Sequence, residues 1–340
     1  MILRSPAPRH TPAWQRELAR AVNRPQELLR LLELELPENA VARLAQREFA
    51  LRVPRGFVAR MRKGDPADPL LRQVLPLDAE MQPAPGYSAD PLREGDTMPV
   101  PGLLHKYRGR VLLTVTGACA VHCRYCFRRH FPYGEANPGA EQWHAALTYL
   151  HGNPDIHEVI LSGGDPLSLT DDRLAALVER LDAVPHLRRL RIHTRLPVVL
   201  PERIDARLLD WLGGTRLTPV VVIHANHPRE IDTDVARACR RLAETGATLL
   251  NQSVLLRGVN DDARVLAMLS ETLLRAGVLP YYLHQLDPVQ GAAHFAVPDA
   301  EAHRLWGFLR DALPGYLVPR LVREIPGEAA KTLLSPGITN

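Results

Sequence analysis

The chain has 340 residues, 46% of them hydrophobic and 24% charged, with four cysteines and a net charge of +4. That composition is typical of a soluble globular protein, and the length allows one barrel-sized domain or two smaller ones. Lys and Arg are spread along the chain, which excludes a nucleic-acid surface; no run reaches the length of a membrane span, and the first residues hold no apolar targeting segment. A cytoplasmic, reducing setting is expected, where clustered thiols are free to bind metal.

Residues 13–52 read as short helices, with apolar residues at helical spacing and a break at Pro25. Residues 53–105, rich in proline and charge, predict an irregular wrap. Strands rich in Val, Ile and Leu are then predicted at 111–116, 158–162, 189–194, 219–224, 249–255, 279–286 and 317–324. Helices are predicted between them at 140–151, 171–182, 203–212, 229–245, 261–276 and 299–312. This alternation predicts an α/β fold with a parallel barrel or partial barrel; a doubly wound open sheet is the alternative. The division expected is an N-terminal wrap (1–105), a barrel (106–326) and a C-terminal segment (327–340).

Just after the first predicted strand comes "GACAVHCRYCFRRHF", with Cys119, Cys123 and Cys126 spaced Cys-x3-Cys-x2-Cys. Thiolates are soft ligands that suit zinc or iron–sulfur clusters. A structural zinc, with His122 or His130 as fourth ligand, usually needs a second knuckle, and the chain has none. The spacing favours a [4Fe–4S] cluster held by three cysteines, with one iron open to an outside ligand. Cys239 reads as a buried helix residue.

"CAVHCRYC" resembles the signature of the radical S-adenosylmethionine (radical SAM) superfamily. The resemblance implies a partial (β/α)6-type TIM barrel, with SAM chelated by the open iron and cleaved to a 5′-deoxyadenosyl radical. "ILSGGDPL" resembles the superfamily's glycine-rich motif, so Gly163, Gly164 and Asp165 are expected to face SAM. Arg195 in "RIHTRLPV", His224 in "VVIHANHPRE" and Gln252 in "LLNQSVLLRGVND" are further expected SAM contacts.

Near the C-terminus, "REIPGEAAKTLLSP" carries Lys331. With the preceding motifs in their order, it resembles the lysine 2,3-aminomutases. That resemblance implies pyridoxal 5′-phosphate (PLP) as a Schiff base on Lys331. From "HKYRGRVLL", Lys106 and Arg110 are implied for its phosphate and Tyr107 for its ring. Lys106 stands where relatives often have Arg, and it lacks the guanidinium fork. Arg128 matches the arginine that clamps the substrate carboxylate. Asp287 and Glu324 match two aspartates that receive the ε-ammonium of L-lysine; Glu324 departs by one methylene. The implied reaction removes hydrogen from the β-carbon of lysine and moves nitrogen from C2 to C3.

The N-terminal half, "WQRELARAVNRPQELLRLLEL" through "FALRVPRGFVARMRKGDPADPLLRQVLPLDAEM", resembles the branch that serves β-lysylation of elongation factor P in bacteria. This implies conversion of (S)-α-lysine to (R)-β-lysine, which a separate lysyl ligase attaches to elongation factor P. It also implies an electron donor such as flavodoxin or ferredoxin, with a homo-oligomer admissible. Clostridial-type relatives have a C-terminal extension with cysteines; here nine residues follow Lys331. The competing expectations are a glutamate 2,3-aminomutase and a non-catalytic zinc-binding scaffold.

Overall fold

In the computed structural model, which describes residues 11–35, 45, 47, 49–136 and 142–334, seven parallel strands form where the Val-, Ile- and Leu-rich runs lie. Among the described residues, two helices of seven residues, α1 (Ala13–Ala19) and α2 (Pro25–Leu31), and shorter helical turns precede them. The parallel strands are β2 (Arg110–Thr116), β3 (Glu158–Gly163), β4 (Arg189–Thr194), β5 (Thr218–Ile223), β6 (Thr248–Val254), β7 (Leu279–His284) and β8 (Arg320–Arg323). Antiparallel strands flank them: β1 (Leu103–Tyr107) on β2 and β9 (Thr332–Leu333) on β8. The spatial order is the chain order, β1 to β9.

Parallel neighbours need a crossover. It is supplied by α3 (Gln142–His151), α4 (Asp171–Asp182), α5 (Ala206–Gly214), α6 (Thr233–Glu244), α7 (Ala263–Arg275) and α8 (Asp299–Ala312). Aspartates start three of these helices. Asp205, Asp232 and Asp262 accept hydrogen bonds from backbone N–H groups in the first turns of α5, α6 and α7.

Side chains alternate faces along a strand. On the outer face Val159, Leu161, Leu190, Ile192, Val221 and Ile223 form one apolar core with Leu174, Leu177 and Leu181 of α4 and Val235 and Leu242 of α6. On the other face the register brings Arg191, His193, Gln252, Tyr282 and His284, all half-buried. The main core therefore lies between sheet and helices, and the inner face mixes these polar side chains with apolar ones such as Ile160 and Val222.

Lys106 of β1 reaches Glu324, the residue after β8, with Nζ 2.7 Å from Oε1. In a flat sheet, seven strand spacings would hold β1 and β8 more than about 30 Å apart. The sheet is therefore curled, and side chains bridge its seam. This is the partial α/β barrel expected; the doubly wound alternative, which reverses strand order at a switch point, is excluded by the sequential order.

The break expected at Pro25 is present: α1 ends at Ala19 and Pro25 begins α2, where its missing N–H costs nothing at the first helical position. The local differences from expectation are two added strands. β1 and β9 lie at the sheet edges; β1 reads LLHKY and β9 has only two residues, too little for an apolar run. β1 also begins before residue 105. Positions 36–44, 46 and 48 of the expected helical stretch, 140 and 141 of the expected third helix and 335–340 of the C-terminal segment lie outside the described residues.

The wrap folds as single helical turns, Arg55–Val58 and Pro69–Arg72, and 3-10 turns, Asp78–Met81 and Glu94–Thr97. Backbone bonds pin it at several places, including Arg52 O and Gln73 O, which accept from His122 N and Arg124 N of the cysteine loop at 3.0 and 2.9 Å. Val22 and Val53 exchange N–H···O bonds of 2.8 and 2.9 Å, and Ser88 pairs with Pro288 and Gln290 at 3.0 and 2.9 Å. Among the described residues, no helix is long and apolar enough to cross a membrane.

Candidate active site

The loop leaving β2 carries Cys119, Cys123 and Cys126, all half-buried, while Cys239 is buried in α6 as expected. Cys126 N donates to Cys123 O at 3.0 Å, turning the loop back on itself. Burial pushes the Cys119 thiol well up, and the charges of Cys126, Asp165 and Cys123 push it further. Burial and then Cys123 push Cys126 up to about 11. The three sulfurs thus feel one another, and a shared cation is what would offset their ionisation. Among the described residues, no three His, Cys, Asp or Glu side chains gather closely enough to hold a single metal ion. The ring nitrogens offered for zinc are turned to backbone carbonyls: His122 Nδ1 is 2.7 Å from Ala50 O and His130 Nε2 is 3.3 Å from Gln290 O.

Gly163 and Gly164 end β3 directly beneath this loop. A Cβ on Gly164 would lie 2.4 Å from Ala118 O; one on Gly163, at φ +118°, would lie 2.5 Å from Thr116 O. The glycines admit the cysteine loop itself. Asp165 is likewise occupied. Its carboxylate accepts from Leu167 N, Thr194 Oγ1, Arg195 N and Leu196 N at 2.7–3.1 Å, joining the ends of β3 and β4.

Arg195 is buried and donates from Nη1 to Cys123 Sγ at 2.7 Å. Its Nη2 donates to Gln73 Oε1 at 2.7 Å and Glu230 Oε2 at 3.0 Å. Asn226 Nδ2 donates to Gln73 Oε1 and Tyr125 Oη, and His224 Nε2 lies 3.3 Å from Tyr125 Oη. Burial, then Arg195, lowers His224 to about 3, so its imidazole is neutral. Gln252 is half-buried on β6, opposite Tyr282 in register and apart from this network.

All three arginines of "CRYCFRRH" are buried. The wrap supplies their carboxylate partners, one of them shared. Glu80 accepts from Arg124 Nε at 2.9 Å and Nη2 at 2.5 Å, and from Arg129 Nη2 at 2.8 Å. Glu94 accepts from Arg128 Nε and Nη2, each at 2.7 Å, and Arg128 Nη1 donates to Ser162 Oγ at 3.0 Å. Burial opposes the charge on Arg128, but Glu94 outweighs it and the guanidinium holds its proton more tightly than usual.

A second group of charges closes the seam. Glu324 accepts from Lys106 Nζ at 2.7 Å and Tyr107 Oη at 2.8 Å, and it also pairs with Lys331 Nζ. The Arg110 guanidinium stacks 4.5 Å over the Tyr107 ring, and Lys331 Nζ lies 5.9 Å from the Tyr282 ring centre. Burial works against ionised Glu324, yet Lys331 and Lys106 hold it well below the usual carboxylate range. Asp287 goes the opposite way: burial and then Glu324 raise it to about 7. His193 Nε2 and His284 Nε2 are buried with no hydrogen-bond partner among the described residues. Both imidazoles are held neutral, first by burial; Arg191 and then Lys331 add to this at His193, and Lys331 at His284.

The structure thus brings Lys331, Glu324, Lys106, Tyr107 and Arg110 together at one seam, and the cysteines with Gly163, Gly164, Asp165 and Arg195 at the ends of β2–β4. Gln73, Glu80, Glu94, Tyr125, Asn226 and Glu230 belong to the same surroundings and were not expected from the sequence. Their side-chain to side-chain bonds reach partners 34 to 157 positions away, so no local spacing marks them. The first group offers an amine beside a carboxylate and two further cations. The second offers three soft donors with a guanidinium on one of them.

The Radical SAM superfamily model matches residues 113–269. The L-lysine 2,3-aminomutase of Escherichia coli (strain K12) is 53% identical over 322 residues, covering 94% of each chain. That of Haemophilus influenzae is 50% identical over 98% of each chain, and that of Clostridium subterminale 36% over 95% of this chain and 78% of its own. With half of all positions shared along nearly the entire length of the Escherichia coli and Haemophilus influenzae enzymes, and the three-cysteine loop inside the matched region, this chain belongs to the L-lysine 2,3-aminomutase family of the radical SAM superfamily.

Proposed function

We propose that the chain is a radical lysine 2,3-aminomutase that converts (S)-α-lysine to (R)-β-lysine with a [4Fe–4S] cluster, SAM and PLP. The observation that carries this reading is the meeting of Lys331, Lys106 and Tyr107 on Glu324, with the raised Asp287 close by. The residues fit the cofactors. Cys119, Cys123 and Cys126 are a soft donor set for the cluster. Lys331 is the attachment point for PLP, with Lys106 and Arg110 as cations for its phosphate and Tyr107 against its ring. The two unpartnered imidazoles, His193 and His284, are buried polar groups near Lys331 that a polar ligand would satisfy.

When bound, the cluster with SAM supplies a hydrogen-abstracting radical, and PLP supplies the conjugated system across which nitrogen migrates from C2 to C3. The chain's own residues hold and orient lysine. Arg128 takes the α-carboxylate, and Asp287 with Glu324 takes the ε-ammonium. Two carboxylates there repel a second carboxylate on a substrate, which disfavours glutamate. Gly163, Gly164 and Asp165 shape the floor under the cysteine loop, and Arg195, His224 and Gln252 line the approach for SAM. The proposed division is an N-terminal wrap at 1–105, a barrel at 106–326 and a C-terminal segment at 327–340 with Lys331.

The family resemblance of the N-terminal half supports a place in β-lysylation of elongation factor P, in the cytoplasm, with flavodoxin or ferredoxin as reductant and a separate lysyl ligase downstream. The test is an anaerobic assay with lysine, SAM and reductant, read by chromatography and product mass. β-Lysine is expected. Turnover of glutamate instead overturns the substrate assignment, and purified protein with one zinc and no iron or sulfide overturns the enzyme reading.

A further inference from the structure

Glu94 comes from the wrap, far in sequence from the arginine it holds. Its 3-10 turn is fixed locally: Glu94 N donates to Asp90 Oδ1 at 3.2 Å and Thr97 Oγ1 donates to Glu94 O at 3.0 Å. The same wrap is tied to the loop after β7, where Ser88 pairs with Pro288 and Gln290 on either side of Val289. Both partners are almost fully buried: Arg128 is 6% exposed and Glu94 is 8% exposed.

The geometry of the pair is informative. Glu94 takes the side edge of the guanidinium, Nε and Nη2, and Ser162 takes one hydrogen of Nη1. A guanidinium has five N–H bonds. Three are used, and the two that remain are on Nη1 and Nη2, the pair of nitrogens that forms the other bidentate edge. The rings of Phe127 and Phe131 lie 4.9 and 5.8 Å from the guanidinium carbon. The arginine is thus anchored on one edge and has donors left on the other.

We propose that Glu94 is a positioning residue for the substrate carboxylate: it grips Arg128 by Nε and Nη2 so that Nη1 and Nη2 are presented, already oriented, to the α-carboxylate of the amino acid. The proposal rests on the reading of Arg128 as the carboxylate clamp. An unanchored arginine spreads over many rotamers, and that freedom is lost on binding; Glu94 removes it beforehand. Glu94 also prevents Arg128 from standing as an uncompensated buried cation when no substrate is present. Its charge reaches the other end of the pocket, for Asp287 feels Glu324, Lys331, Glu94 and Lys106.

The test uses PLP-loaded full-length protein with its cluster intact. Lysine and 1,5-diaminopentane, which lacks the carboxylate, are titrated while PLP absorption is followed. Glu94→Gln is expected to weaken lysine binding by about tenfold to a hundredfold and diaminopentane binding by less than about threefold. Glu94→Asp, which keeps the charge but shortens the reach, is expected to lose lysine affinity by a smaller factor at an unchanged melting temperature. Wild-type or tighter lysine binding in both variants overturns the proposal, as does equal loss for both ligands. Arg128→Lys separates the two levels. If it leaves lysine binding unchanged, the clamp reading itself fails. If it weakens lysine binding while the Glu94 variants do not, only the role of Glu94 fails.

Discussion

Asp287 and Glu324 are two carboxylates in one pocket whose proton affinities are driven apart. Glu324 sits between two ammonium groups and stays ionised, whereas Asp287 is raised to about 7, first by burial and then by Glu324. The sign of the consequence follows directly. Above about pH 7 Asp287 is ionised and below it the carboxyl is neutral, so in the proposed role of Asp287 its attraction for a substrate ammonium is lost as pH falls. The dissociation constant for lysine is therefore expected to rise as pH falls through 7, and Asp287→Asn to bind weakly at every pH; a calorimetric titration series checks both. Lys331 offers a second residue-scale test. Borohydride reduction of the PLP-loaded protein, followed by peptide mass mapping, should find the label on Lys331, and Lys331→Ala should retain none. The three cysteines were legible because soft-ligand chemistry needs those residue types at short, fixed spacing; Lys331 has no such spacing and was legible only through the resemblance of the surrounding motifs to the lysine 2,3-aminomutases. Glu94 was not, because a carboxylate in a Pro-rich stretch has no local signature, and its partner is 34 positions on.

The loop between β2 and β3 depends on neighbours that leave it little room. Gly164→Ala places a methyl against the Ala118 carbonyl, and overpacking of this kind costs about 1–3 kcal/mol. The loop would shift, so reduced iron content on reconstitution is the expected readout. Glu80 carries a heavier duty, since it alone receives both Arg124 and Arg129 in the interior. Glu80→Ala strands two buried cations, and removing one partner of a buried ion pair typically costs about 3–5 kcal/mol, to be measured by urea unfolding. Helix and strand runs were readable in outline because both faces of a parallel strand are covered and its sequence becomes continuously apolar. The helices at 171–182 and 299–312 were expected at the bounds observed, Asp171–Asp182 and Asp299–Ala312. The edge strands β1 and β9 were not readable, because each pairs on one side only and needs no apolar run.

On the scale of the molecule, curling of the sheet joins residues more than two hundred positions apart. Lys106 and Tyr107 from one edge meet Glu324 and Lys331 from the other. The cluster loop depends on the same closure, because the wrap that supplies carboxylates to its arginines also crosses to the loop after β7. Cys126→Ala is expected to lose the iron–sulfur absorption and reductive cleavage of SAM while PLP still binds at the seam; retention of SAM cleavage would contradict the three-cysteine assignment. By itself, the sequence determined the alternation of strands and helices and the three-thiol motif, because apolar periodicity and ligand spacing are local properties; Lys331 entered only as what the family resemblance implies. Only the tertiary structure decided that Arg128 is already paired, that the glycines serve the cysteine loop, and that Glu324 is shared by two lysines. These outcomes depend on which charges the fold buries together, and burial sets their energies far more strongly than distance along the chain.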